Sequence, residues 1–237
     1  MYRIFIISII IISALGLKAQ FSVGVRQGYG SYGVNFEPSQ KYQVPFNLSN
    51  SGLVIIYNSI DNSGLQMEIN YASKGWREVD SLVDGAYFER RIKYLEIPLY
   101  SRWEVDLGKV RPIIFAGPYL AWKLSETTDS ANYSHIWNES HPYNHFEQTI
   151  KDVDFGIKLG LGIEYKFTKQ FAIYIDGRYD FQIAGGRDIF IDRPNGISMS
   201  RLKEISGTIG IVWHIIPQKE KAVLDIYKPK EDLYEEY

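Results

Sequence analysis

Val153-Asp154-Phe155-Gly156-Ile157-Lys158-Leu159-Gly160-Leu161-Gly162-Ile163-Glu164-Tyr165-Lys166-Phe167 alternates without a fault: every odd position is apolar, and every even one is charged or glycine. A period of two is the signature of a β-strand with two unlike faces. Fifteen such residues exceed the five or six of an ordinary globular strand. A continuous apolar stripe of that length needs a bilayer or a very tall sandwich to cover it.

The pattern repeats on either side. After the tight turn Thr168-Lys169-Gln170, residues Phe171, Ile173, Ile175, Tyr179, Phe181 and Ile183 share one face, and Tyr174, Asp176, Arg178, Asp180 and Gln182 share the other. Ile205, Ile209, Ile211, Trp213 and Ile215 alternate with Glu204, Ser206, Thr208, Gly210 and His214. Further strands are expected over Phe21 to Phe36, Leu53 to Ile60, Leu65 to Gly75, Lys93 to Val105 and Val110 to Lys123. The links between them run long, short, long, short, long, short, long. Strict alternation is the habit of outer-membrane barrels, which have short periplasmic turns and longer outer loops. The expected fold is all-β: a closed antiparallel up-and-down transmembrane β-barrel of about eight strands.

Composition agrees with that reading and narrows the alternatives. Mean hydropathy is −0.20, too polar for a bundle of membrane helices but suited to a barrel whose alternate residues face inward. Aromatic residues make up 15% of the chain, with 18 Tyr against 3 Met. A net charge of −2 with no basic stripe argues against a nucleic-acid partner. With no cysteine, disulfides, thiolate metal sites, thiol nucleophiles and an acylated lipoprotein anchor are excluded.

Residues 1–19 are expected to be a signal peptide: Arg3 precedes the apolar run Ile4 to Ile12, and Leu17-Lys18-Ala19 gives a cleavage point before Gln20. That run is well short of the roughly 20 residues a spanning helix needs. Residues 20–216 form the expected barrel, and the charged segment 217–237 a periplasmic C-terminal tail. Trp76 and Trp122 are placed at the outer lipid boundary, Trp103 and Trp213 at the inner one.

The polar stripe carries Arg26, Glu68, Glu96, Arg102, Lys158, Glu164, Asp176, Arg178, Asp180 and Glu204. An eight-stranded barrel has room only for side chains inside, so these charges are expected to pair across the lumen and close it to ions. His135, His141 and His145 lie in the longest loop beside Asp129, Glu139 and Glu147, yet their spacing matches no closed zinc motif. Ser134-His135 has no assignable acid to orient it. Gly156, Gly160 and Gly162 follow strand period and never open a helix, so they make room for bulky neighbours rather than cradle phosphate. No catalytic, cofactor-binding or metal residue is assigned.

Tyr94-Leu95-Glu96-Ile97-Pro98-Leu99, Ala116-Gly117-Pro118-Tyr119, Asp154-Phe155-Gly156 with Gly160-Leu161-Gly162, and Asp176-Gly177-Arg178-Tyr179 together resemble the PorT-like outer-membrane barrels widespread in Bacteroidetes. The resemblance implies an outer-membrane barrel and, for the founding member, a part in type IX protein secretion; it carries over no catalytic residue. The expected partners are outer-membrane lipid and envelope or secretion-system proteins. Two rivals stay open. A soluble periplasmic lipocalin-like barrel would turn its apolar stripe inward around a ligand, and a lipid-modifying enzyme would act from the outer rim. Alternation alone does not say which stripe faces in. Pro98 and Pro118, inside strands, should mark local distortions.

Overall fold

The computed structural model describes residues 20–37, 43–58, 62–79, 84–132, 149–184, 189, 191 and 199–215. The expected signal peptide, the tail, Ser134 and the three loop histidines with Glu139 and Glu147 lie outside them. Nine strands follow in chain order: β1 (Gln20–Glu37), β2 (Gln43–Val44), β3 (Phe46–Asn58), β4 (Ser63–Val79), β5 (Tyr87–Glu104), β6 (Val110–Ala131), β7 (Val153–Lys166), β8 (Phe171–Ala184) and β9 (Met199–His214). β2 and β3 form one stave broken at Pro45, which has no N–H to donate. All pairings are antiparallel, β9 pairs with β1, and β5 pairs with β4, so eight staves close into a ring without an edge.

The ring is staggered. From Phe21, cross-strand partners lead through Tyr57, Leu65, Ser101, Ala116, Leu159, Tyr179 and Ile205 and return to β1 at Ser31, ten residues beyond the start. A stagger of this size tilts the strands against the barrel axis and sets a narrow bore. All the residues on that path face outward; their neighbours in sequence face in.

The odd stripe is therefore the outer surface. Leu159, Leu161, Ile163, Ile175, Ile205, Ile209 and Ile211 are exposed, while Lys158, Glu164, Asp176, Arg178, Asp180 and Glu204 are buried. A lipocalin-like barrel has the opposite polarity, so that rival is excluded. Ile175 and Ile211 belong in acyl chains, and the inner boundary carries stacked Phe167, Phe171 and Trp213 with centroids 6.2 and 6.4 Å apart.

Two sequence expectations need adjustment. Strands reach further on the outer side: β6 continues to Ala131, β5 starts at Tyr87 and β3 at Phe46, because polar hairpins above the membrane keep their ladders without an apolar stripe. Trp76 is not at the lipid boundary. It shares the inward parity of Glu68, Asn70 and Lys74 on β4 and is fully buried, whereas Trp122, Trp103 and Trp213 are 39%, 48% and 46% exposed. As expected, the ladder distorts at the prolines. Pairing of β5 with β6 lapses between Pro98↔Tyr119 and Ser101↔Ala116, and pairing of β4 with β5 between Met67↔Leu99 and Asn70↔Glu96.

Candidate functional site

Inward side chains fill the bore in three ionic tiers under an apolar cap. Nearest the inner turns, Arg102 Nη2 lies 2.8 Å from Glu164 Oε2, and Arg111 Nη1 lies 3.2 Å from Glu104 Oε1 and 3.4 Å from Glu164 Oε1. The second tier centres on Glu68, whose Oε2 is 2.9 Å from Arg26 Nη1 and 2.8 Å from Arg178 Nη1. Arg178 also donates through Nε to Asp176 Oδ1 at 2.6 Å.

The third tier joins two lysines to four carboxylates. Lys74 Nζ is 2.7 Å from Glu96 Oε2 and 3.2 Å from Asp154 Oδ2. Lys158 Nζ is 2.7 Å from Glu96 Oε1 and 3.6 Å from Glu204 Oε2, and it also contacts Asp180. Neutral donors add to the tier: Tyr32 Oη donates to Glu204 at 2.8 Å, Tyr119 Oη to Asp154 at 3.1 Å, and Gln182 Nε2 to Asp154 at 2.7 Å.

Above this tier the lining becomes apolar. Val34, Phe36, Trp76, Phe88, Ile92, Tyr94, Leu202 and neighbours form one buried cluster. Trp76 meets Phe36 edge-on at 6.0 Å and Phe88 at 6.4 Å. Ile150 and Ile189 join the cap from the outer links, which are tied together by Lys151 N–H to Ile189 O and Ile191 N–H to Thr149 O, each at 2.8 Å. Narrow gaps are filled by matching small and large residues: Phe115 occupies the space a Cβ at Gly160 would need, and Tyr174 does the same at Gly210.

All ten charges singled out from the sequence line the bore, and each lies in one of these tiers. Sequence reasoning missed Lys74 and Arg111, although each has inward parity on its strand, and it put Asp154 on the polar stripe of β7 without naming its partner. It put His214 on the polar stripe of β9 but did not pair it with Ser22, whose Oγ sits 2.7 Å from His214 Nδ1 across the β1–β9 seam. Their 192-residue separation leaves no local signal. Among the described residues no group of three or more His, Asp or Glu could hold a metal ion.

A ringed β-sheet, apolar outside and ionic within, defines an integral outer-membrane barrel protein. The chain belongs to the outer membrane protein beta-barrel domain family, whose model matches residues 16–184; β9, beyond that match, supplies the closing seam. No curated protein matches the chain. Among solved structures it is similar to Neisserial surface protein A, at 14% identity over 81% of this chain and 97% of that one, with a TM-score of 0.43. OprG from Pseudomonas aeruginosa gives 12% identity, 83% and 96% coverage and a TM-score of 0.47. The outer membrane enzyme PagL gives 11%, 79% and 97%, and 0.39.

Proposed function

We propose that this outer-membrane barrel is a non-enzymatic, non-conducting anchor that works through its outer hairpins, as a scaffold, adhesion or secretion-accessory component. The observation that carries the reading is the filled bore: three ionic tiers under an apolar cap leave the surfaces outside the lumen as the places where the protein meets other molecules. The PorT-like sequence segments support the secretion-accessory form of this role. Ser22 and His214 fall short of a catalytic set, because His214 Nε2 is buried with no hydrogen-bond partner to orient the ring.

Photocrosslinking in cells tests the proposal, with a photoreactive residue placed at Thr127 on the outer part of β6 or at Val105 in an inner turn. Capture of an envelope protein from Thr127 is expected. Capture from Val105 alone would move the working face to the periplasm, and discrete single-channel steps in planar bilayers would refute the anchor outright.

A further inference from the structure

The apolar belt is lopsided. On β7 the outward positions Val153, Phe155, Ile157, Leu159, Leu161, Ile163 and Tyr165 are all apolar, seven in succession; on β3 the run is only Leu53, Ile55 and Tyr57, and Ser51, Ser49 and Asn47 follow, all exposed. Each outward position adds about 5 Å of height in a strand tilted by roughly 40°. The belt is then about 35 Å tall at β7 and about 15 Å at β3, against the roughly 25 Å of an outer-membrane apolar band. Ser51 and Leu159 are both the fourth outward position from the inner end of their strands. On β1 the fourth is Gln27, which pairs with Ser51, and Ser31 pairs with Asn47.

This polar notch is bracketed by cations. On β9, Lys203 and Arg201 stand directly above Ile205; on the other flank Arg77 of β4 and Arg91 and Lys93 of β5 stand above Tyr71 and Leu95. Their charged heads lie over aromatic faces, Lys93 Nζ over Tyr71 at 5.9 Å and the Arg201 guanidinium over Phe181 at 5.8 Å, with the Arg77 guanidinium over Tyr87 higher up at 4.9 Å, cation–π contacts that hold them at the outer face. Against these five, the outward carboxylates among the described residues of β1, β3, β4, β5 and β9 are Glu37 and Glu89, and Glu89 is held by Arg91 at 2.9 Å. The tall wall differs: its Lys123 is taken up by Ile150 O at 2.7 Å and Asp152 at 3.1 Å.

Acyl chains cannot satisfy an amide and a row of hydroxyls, and a bilayer accommodates a short belt by thinning locally. We propose that the outer leaflet dips along the β1–β3–β4 wall, and that phosphate-bearing lipid headgroups sit in the notch against Gln27, Ser49 and Ser51, held by Arg201 and Lys203 on one flank and by Arg91 and Lys93 on the other. Phosphate is the fitting anion, since it accepts several hydrogen bonds from Arg and Lys at once.

The chain has no cysteine, so nitroxide labels can be placed one at a time at Ser51→Cys and Leu159→Cys of the full chain. Vesicles of phosphatidylcholine doped with diphosphorylated lipid A, or with its dephosphorylated form, supply the surroundings. The label at 51 should be reached by an aqueous nickel chelate and the label at 159 by oxygen. Native mass spectra should retain diphosphorylated lipid A, with about tenfold less retained after Arg91→Gln, Lys93→Gln, Arg201→Gln and Lys203→Gln together. Oxygen access at 51 equal to that at 159 would remove the notch. Shielding of 51 from both reagents would put a protein surface there instead, and equal retention of the two lipids would remove the phosphate.

Discussion

Replacing Lys158 with Met keeps chain volume and removes one of two cations from the third tier. Lys158 Nζ is the neighbour of Glu96 at 2.7 Å and Glu204 at 3.6 Å, and it also touches Asp180; all four groups are buried. Without it, Lys74 alone faces Glu96, Asp154, Asp180 and Glu204. Removing one partner of a buried ion pair costs about 3–5 kcal/mol, because the orphaned charge keeps its desolvation penalty. With a urea slope of about 2 kcal/mol per molar, the unfolding midpoint should fall by roughly 1.5–2.5 M. The assay is urea unfolding in phospholipid vesicles, followed by tryptophan fluorescence and by the gel shift between folded and boiled protein. Adding Asp180→Asn to Lys158→Met removes a surplus carboxylate and should return part of the loss. Lys93→Met, on the outer face, should cost less than about 1 kcal/mol, as exposed cations do. If Lys158→Met behaved like Lys93→Met, the ionic tiers would not be dry and the filled-bore argument would fail.

Other outcomes follow from the same geometry. Single-tryptophan variants in brominated-lipid vesicles should show quenching at Trp103, Trp122 and Trp213 and none at Trp76; quenching at Trp76 would mean that β4 is out of register by one residue. Gly160→Ala should cost about 1–3 kcal/mol by overlap with the Phe115 ring, and combining it with Phe115→Leu should cost less than the two separately; strict additivity would deny the contact. Asp106, in the inner turn, has burial working to raise its carboxyl, but the Gly108 N–H at 3.0 Å, with Arg111 and Lys166 at 3.4 and 3.3 Å, holds it below the ordinary value. A depressed carboxyl stabilises the fold above the unfolded value near 3.9 and loses that contribution as pH falls through the folded one. Asp106→Asn should therefore destabilise at pH 7, and its gap from wild type should close as acid protonates the carboxyl in the folded state; a constant gap would refute the pairing.

How much was legible depended on what each residue's neighbours were. Strands β7, β8 and β9 could be read outright because lipid on one side and ions on the other force a strict alternation. Above the membrane that contrast disappears: Asn47, Ser49 and Ser51 on β3, like Thr127 and Asp129 on β6, are polar residues at outward positions of a strand, and sequence alone assigns them to loops. Trp76 was misplaced because aromatic residues serve equally in a girdle and in a core. Its parity with Lys74 was the better signal. Lys74 and Arg111 were overlooked for a related reason, since each lies where the alternation is interrupted, by Gly75 next to Lys74 and by Pro112 next to Arg111.

Alternation says that two faces differ without saying which is inside, and the pairing of charges answers that question. Glu68 needs Arg26 from β1 and Arg178 from β8, and Lys158 needs Glu96 from β5 and Glu204 from β9. No flat or outward-facing arrangement brings these strands within 3 or 4 Å of one another through their side chains; only the enclosed face of a narrow ring does. The proposed non-conducting role rests on the same pairing, because an entering ion would have to displace lysines and arginines from carboxylates in a medium that penalises bare charge. The apolar cap adds a second barrier of a different kind. In the proposed role, recognition falls to the hairpins that rise beyond the bilayer and to the wall whose apolar belt is short.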